Sequence, residues 1–203
     1  MSKAKRKNSS YKKGPKKVVI NNRGDRIRYA NQKLYDCPLS ITWFRIFKTI
    51  ITVLQATMSG YSAIVCVVSI FASFSEEVQA KANPAAIPVF VVYNIVMAVL
   101  LTAVVPLCVI MFRRLSELTS KSYVFLKFFL IYTSCVNAIS TSASELFRVA
   151  LFSGIEEYEV SITSILFAIF SVVFMAIWLI LNLNYFKNRK SLFGDGENIV
   201  VHS

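Results

Sequence analysis

Histidine occurs once in this 203-residue chain, at His202, and the four cysteines, Cys37, Cys66, Cys108 and Cys135, form no C-x-x-C pair. A metal site of ordinary Cys/His spacing is therefore absent, and no cofactor is expected. Catalytic sets are missing as well. The sequence holds no glycine-rich phosphate loop, no H-E-x-x-H and no G-x-S-x-G, so no enzymatic activity is expected. Acids are scarce, 11 against 23 Lys and Arg. Charge of either sign makes up only 17% of the chain, below the roughly 25% of soluble domains.

What fills the chain instead is apolar residue, 55% of the total. It is concentrated in four runs, at about 49–74, 87–112, 124–143 and 162–186. The first, second and fourth carry no charge, and the third has only Lys127 near its start. Crossing a hydrocarbon core takes about 20 predominantly apolar residues as a helix. A soluble helix of that length would show a polar face, and these do not. In lipid the backbone must satisfy its own hydrogen bonds, so each run is predicted to be a helix. The expected fold is all-α: a polytopic membrane protein with a four-helix transmembrane bundle over 41–190. The competing arrangement has three spans, with the third run partly in the interface.

The net charge of +12 is placed unevenly. Residues 1–40 hold a dozen Lys and Arg and only two acids, Asp25 and Asp36. Arg45 and Lys48 precede the first run, Arg113, Arg114, Lys121 and Lys127 separate the second from the third, and Lys187, Arg189 and Lys190 follow the fourth. The other two loops hold only Lys81 and Arg148, beside Glu76, Glu77, Glu145, Glu156, Glu157 and Glu159. The positive-inside rule then predicts N-in, C-in, with a basic tail over 1–40 and a short cytoplasmic tail over 191–203. The first apolar run follows too long a basic region for a cleavable signal peptide and is expected to act as a signal anchor.

The start of the basic tail, Lys-rich with Ser, Asn and Gly, is expected to be mostly disordered. Beyond it, Val18-Val19-Ile20 and Arg26-Ile27-Arg28-Tyr29 flank an Asn/Gly turn and predict a hairpin that needs outside support. Lys3, Lys5, Arg6, Lys7, Lys12, Lys13, Lys16 and Lys17 are candidate contacts to anionic lipid headgroups, each worth about 1 kcal/mol at such a surface. The alternative is a tail that only enforces topology. Nucleic acid is a poor candidate partner, because Tyr11 and Tyr29 are the tail's main aromatics and form no stacking platform. The lipid bilayer itself is the expected partner, with room for a protein partner or a homo-oligomer.

Within the third run, Thr133, Asn137, Ser140, Thr141, Ser144 and Arg148 recur at steps of three and four. That spacing gathers them on one helix face, predicted to point into the bundle, with Phe128, Ile131, Val136 and Ile139 opposite. Glu145 and Arg148 are spaced to pair at its outer end. The stripe is predicted to be packing held by hydroxyl and amide hydrogen bonds, or else the lining of a polar pathway. No ionisable side chain sits at the centre of any run, which disfavours ion-coupled transport. Ala56 with Gly60, and Ser59 with Ala63, are spaced for close helix approach. Pro106 is a candidate kink. Trp43, Phe44, Trp178 and Tyr185 are expected at headgroup level. The cysteines of the apolar runs are expected to be buried thiols.

The closing segment reads Trp178-Leu179-Ile180-Leu181-Asn182-Leu183-Asn184-Tyr185-Phe186-Lys187, followed by Asn188-Arg189-Lys190-Ser191-Leu192-Phe193. It resembles the end of several families of small uncharacterised bacterial membrane proteins. The resemblance covers about a tenth of the chain and implies a bacterial cytoplasmic membrane location. It carries no site residues.

Overall fold

A computed structural model describes residues 16–17, 23–37, 39–152, 162–194 and 200–201. Four helices are long and apolar enough to cross a membrane, over Thr42–Ala72, Ala86–Glu117, Ser120–Phe147 and Ile162–Lys187. They correspond to the four apolar runs, and the three-span alternative falls away. The helices outlast the runs. The third extends over Ser120–Phe152, well beyond the 124–143 read from composition, because polar ends can continue a helix into the headgroup layer.

Helix α1 covers Arg23–Tyr35. The first span consists of α2 (Thr42–Ile46), a π-helical turn (Phe47–Ile51) and α3 (Thr52–Ala72). A short outer helix α4 (Glu76–Lys81) leads to α5 (Ala86–Glu117), then α6 (Ser120–Phe152) and α7 (Ile162–Lys187). The chain ends in a 3-10 turn at Lys190–Leu192 and a two-residue antiparallel pairing of Val200–Val201 with Lys16–Lys17.

Packing follows the buried positions. On α5 these are Asn94, Met97, Leu101, Val104, Cys108, Met111 and Leu115. Their alternating steps of three and four form a coiled-coil seam. Against it α3 sets small side chains, Ser59, Ala63 and Cys66. Gly60 is not the point of closest approach, since a Cβ there would meet Val105 only at 3.8 Å. α6 packs on α5 as well and carries α7. The uncovered faces are apolar, as at Val92, Val99, Phe170 and Leu181, which is the surface lipid requires. α5 runs unbroken through Pro106.

The turn between α5 and α6 is short. Leu118 ends α5 in the left-handed region, at φ 48°, and is buried. Thr119 then opens α6 with a reciprocal cap: the Ser122 N–H donates to Thr119 Oγ1 (3.2 Å) and the Thr119 N–H to Ser122 Oγ (3.3 Å). At the opposite end the Asn83 N–H donates to the Leu151 carbonyl (2.9 Å), tying the α4 loop to the end of α6.

Three expectations are corrected. The hairpin does not form, because Arg26–Tyr29 lies inside α1; residues 18–22 lie outside the described residues. Ile27, Ala30 and Leu34 occur at helical spacing, and packing Ala30 and Leu34 against the core, where α1 meets α5 and the C-terminal turn, favours a helix. The second half of the basic tail is thus ordered structure, and burial raises the Tyr29 phenol above its ordinary pKa. Phe44 is a core residue, 1% exposed, and not a headgroup anchor. Among the thiols, Cys66 and Cys108 are buried, Cys37 is half-buried, and Cys135 is exposed towards lipid.

Met111→Ala removes a fully buried side chain from the seam. It is expected to destabilise the purified protein by about 2–4 kcal/mol, read as a lower thermal midpoint. Val109→Ala, on the lipid-facing side, leaves the midpoint unchanged.

Candidate functional site

Inside the bundle the polar stripe of α6 is built from two kinds of group. The hydroxyls mostly answer themselves. Thr133 Oγ1 donates to the Phe129 carbonyl (2.8 Å), Thr141 Oγ1 to Asn137 (2.9 Å) and Ser144 Oγ to Thr141 (2.9 Å). Back-bonding of this kind satisfies a hydroxyl without joining helices.

The amides do join them. Gln55 on α3 and Asn137 on α6 bond reciprocally, Gln55 Nε2 to Asn137 Oδ1 at 3.3 Å and Asn137 Nδ2 to Gln55 Oε1 at 3.2 Å. Gln55 Nε2 also donates to Ser59 Oγ (3.1 Å). Two tyrosines add interhelical bonds that the spacing of polar residues did not reveal. Tyr93 of α5 donates to the Ser140 carbonyl (3.1 Å), and Tyr132 of α6 to the Leu100 carbonyl (3.0 Å). Of the expected hydroxyl and amide bonds, the amides bridge the spans, phenols join them, and the stripe's hydroxyls at Thr133, Thr141 and Ser144 bond within their own helix. A tyrosine within an apolar run reads as another large hydrophobe, so nothing in the sequence singled these out.

The stripe changes character along α6. Thr133 is buried, Asn137, Ser140 and Thr141 are half-buried, and Ser144 is exposed. The side chain of Arg148, and with it the expected pairing to Glu145, lies outside the described residues. Val136, placed opposite the stripe by periodicity, is buried at 4% exposure, because α6 packs on both α5 and α7 and has more than one covered face.

The half-exposure has a cause in the packing. α2 and the π-helical turn meet α7 at the basic end through Trp43, Phe44 and Phe47, and beyond them α3 stands away from α7, leaving a cleft of about 350 Å³ lined by Leu54, Gln55, Met58, Asn137, Phe174 and Trp178 among others. A second cleft of about 530 Å³ lies between α3, α5 and α6 towards the outer end. The two share Ser62, Ser140 and Thr141, so they meet midway along the spans. Among the described residues none that lines them is an acid, a lysine, an arginine or a histidine. Among the described residues no group of His, Cys, Asp and Glu could hold a metal ion.

The basic end is closed by a set of specific bonds. Trp43 Nε1 donates to Asn182 Oδ1 (3.0 Å), and the Trp43 and Trp178 rings meet edge-on at 5.7 Å. The Tyr185 hydroxyl accepts from the Phe44 N–H (3.0 Å), one of the open donors at the start of α2, and donates to the Ser40 carbonyl (3.2 Å). Arg189 stacks on Tyr185, 3.7 Å from the ring centroid, and donates from Nε and Nη2 to Ser40 at 3.1 and 2.8 Å. Beneath, Phe186 joins Phe44, Phe47 and Phe193 in edge-on contacts of 5.1–6.5 Å. The π-helical turn sits here too. Its loosened carbonyls at Phe47 and Lys48 accept from Thr52 Oγ1.

Of the candidate headgroup contacts, Lys3, Lys5, Arg6, Lys7, Lys12 and Lys13 lie outside the described residues. The backbones of Lys16 and Lys17 pair with Val200–Val201. No family matches the chain, and no curated protein or solved structure is significantly similar to it.

The amide bridge has a measurable coupling. Asn137→Leu strands the Gln55 amide, and Gln55→Leu strands Asn137. In a double-mutant cycle of unfolding in detergent the pair is expected to couple by about 0.6–1.7 kcal/mol. Additive single effects would show that the two amides do not support each other.

Proposed function

We propose that this four-pass membrane protein is non-enzymatic and acts through contacts, presenting a basic cytoplasmic face to anionic lipid headgroups or to a protein partner. The observation that carries this reading is the assembly of one basic cap. α1, the α5–α6 turn and the C-terminal turn come together at one end of the bundle, joined to its core through Ala30, Leu118, Leu192 and Phe193. Around them stand Arg113, Arg114, Lys121, Lys187, Arg189 and Lys190, with the Lys-rich residues of 1–17 attached. Lys48 and Lys127 lie over the rings of Phe112 and Tyr123, at 5.3 and 4.7 Å, a geometry that keeps an ammonium near the interface. The positive-inside rule assigns this end to the cytoplasm. A bacterial cytoplasmic membrane is proposed as the location, on the resemblance of the closing segment.

A second reading is a small channel or carrier using the α6 stripe, and the joined clefts favour it. The amide bridge argues against it, since Gln55 and Asn137 spend their hydrogen bonds on each other inside the inner cleft. Replacing Asn137 and Thr141 by Leu separates the two readings. A contact role predicts unchanged solute flux in reconstituted vesicles; a pathway predicts lost flux with assembly intact.

Headgroup docking predicts that a peptide of residues 1–22 binds vesicles containing anionic lipid and that binding falls as salt is raised. Each Lys→Gln replacement weakens it by about 1 kcal/mol. Equal binding to neutral vesicles would contradict the docking.

A further inference from the structure

Several hydroxyls line the joined clefts, and those of Ser62 and Ser140 stand where the two clefts meet. Ser73, Thr141 and Ser144 each donate back to their own helix, Ser59 accepts from Gln55, and Ser69 and Tyr61 of the outer cleft make no side-chain hydrogen bond among the described residues. Ser62 on α3 and Ser140 on α6 make no side-chain hydrogen bond among the described residues, and both line both clefts. They are half-buried and open to the cavity, at the level where the inner and outer clefts join. In a hydrocarbon surrounding an unanswered hydroxyl is costly, so a complementary group in the cavity would be held there.

The walls specify what that group belongs to. Among the described residues no Asp, Glu, Lys, Arg or His lines either cleft, so none of them pairs with an ionic headgroup or a metal ion at Ser62 and Ser140. Polar side chains come from α6 and α3, with Tyr93 and Asn94 of α5 in the outer cleft and Trp178 of α7 in the inner one, whereas Leu54, Met58, Val65 and Phe174 are apolar wall. Met58 and Phe174 are 56% and 50% exposed, on helices whose outward faces are lipid-facing, so the mouth opens sideways towards the bilayer. Towards the basic end the Trp43–Asn182 bond and the Tyr185–Ser40 contacts close the space between α2 and α7. The volumes, about 350 and 530 Å³, are those of ligand sites, which run from about 300 to 1,000 Å³.

We propose that the joined clefts bind one uncharged lipid, with an apolar chain along Leu54, Met58 and Phe174 and a compact hydroxyl- or carbonyl-bearing headgroup at Ser62 and Ser140. Diacylglycerols and isoprenoid alcohols share this chemistry. The occupant enters laterally from the membrane and needs no aqueous passage.

The test uses the full chain in vesicles with a photoreactive, clickable diacylglycerol, and a phosphatidylglycerol carrying the same tag. The expected result is diacylglycerol labelling concentrated on α3, α6 and α7 around Ser62 and Ser140. Excess unlabelled diacylglycerol or an unlabelled isoprenoid alcohol competes it, and the stronger competitor identifies the source. Ser62→Ala with Ser140→Ala leaves the cavity in place and lowers this labelling about five-fold or more, as loss of a hydrogen bond predicts. Thr102→Ala, on the exposed face of α5, leaves it unchanged. Labelling spread evenly over outward positions such as Val99, or equal labelling of the cleft by phosphatidylglycerol, overturns the proposal. So does reaction of a Ser140→Cys variant with a membrane-impermeant thiol reagent, which would mark a water-filled passage. The labelling map of the native chain decides the matter even if the double variant does not fold.

Discussion

Hydrocarbon offers no hydrogen bonds, and every polar group carried into it must find a partner within the protein. This constraint makes the four apolar runs helical, because a helix satisfies its own backbone. It also explains why Thr133, Thr141 and Ser144 turn back onto carbonyls of their own helix. Asn94 and Asn182 turn back too, whereas other amides and phenols find partners on neighbouring helices. The Gln55–Asn137 bridge, Tyr93 on the Ser140 carbonyl and Tyr132 on the Leu100 carbonyl are the bonds that tie α3, α5 and α6 into one body. Ser62 and Ser140, which make no side-chain hydrogen bond among the described residues, open onto a cavity instead.

The two ends of the bundle follow different physics. At the basic end water is near, and polar and aromatic groups mix freely. The Tyr185 hydroxyl meets an open helix donor, Arg189 stacks on the same ring, and four phenylalanines pack beneath. α1 and the α5–α6 turn fasten onto this layer through Ala30 and Leu118, giving the positive charge a fixed platform. Away from that end α7 rests on α6, with Ala168 and Ser171 as its buried contacts, and it stands away from α3. Tight closure at one end and separation beyond it create the cleft between them.

Much of this was legible in the sequence. Charge-free runs longer than a hydrocarbon core mark the spans, and steps of three and four on α6 mark the stripe. Other features depend on three-dimensional neighbours. Arg26–Tyr29 reads as one arm of a hairpin until the core offers Ala30 and Leu34 a surface and draws the segment into α1. Val136 is buried because α6 touches two helices, whereas periodicity alone assumes one covered face. Phe44 looks like an interfacial ring and is core because Phe186 packs edge-on to it at 6.3 Å. The bridging tyrosines were hidden because a phenol in an apolar run reveals its polarity only when a carbonyl stands within reach.

The central claim is that four helices thread the bilayer and leave the basic cap on the cytoplasmic side. Reporter domains fused after Lys190 and inserted at Ala82, each active on one side only, measure it most directly. The account predicts a cytoplasmic reporter after Lys190 and an external one at Ala82. A Lys190 fusion on the outside, or a chain that alkali strips from the membrane without detergent, would contradict it.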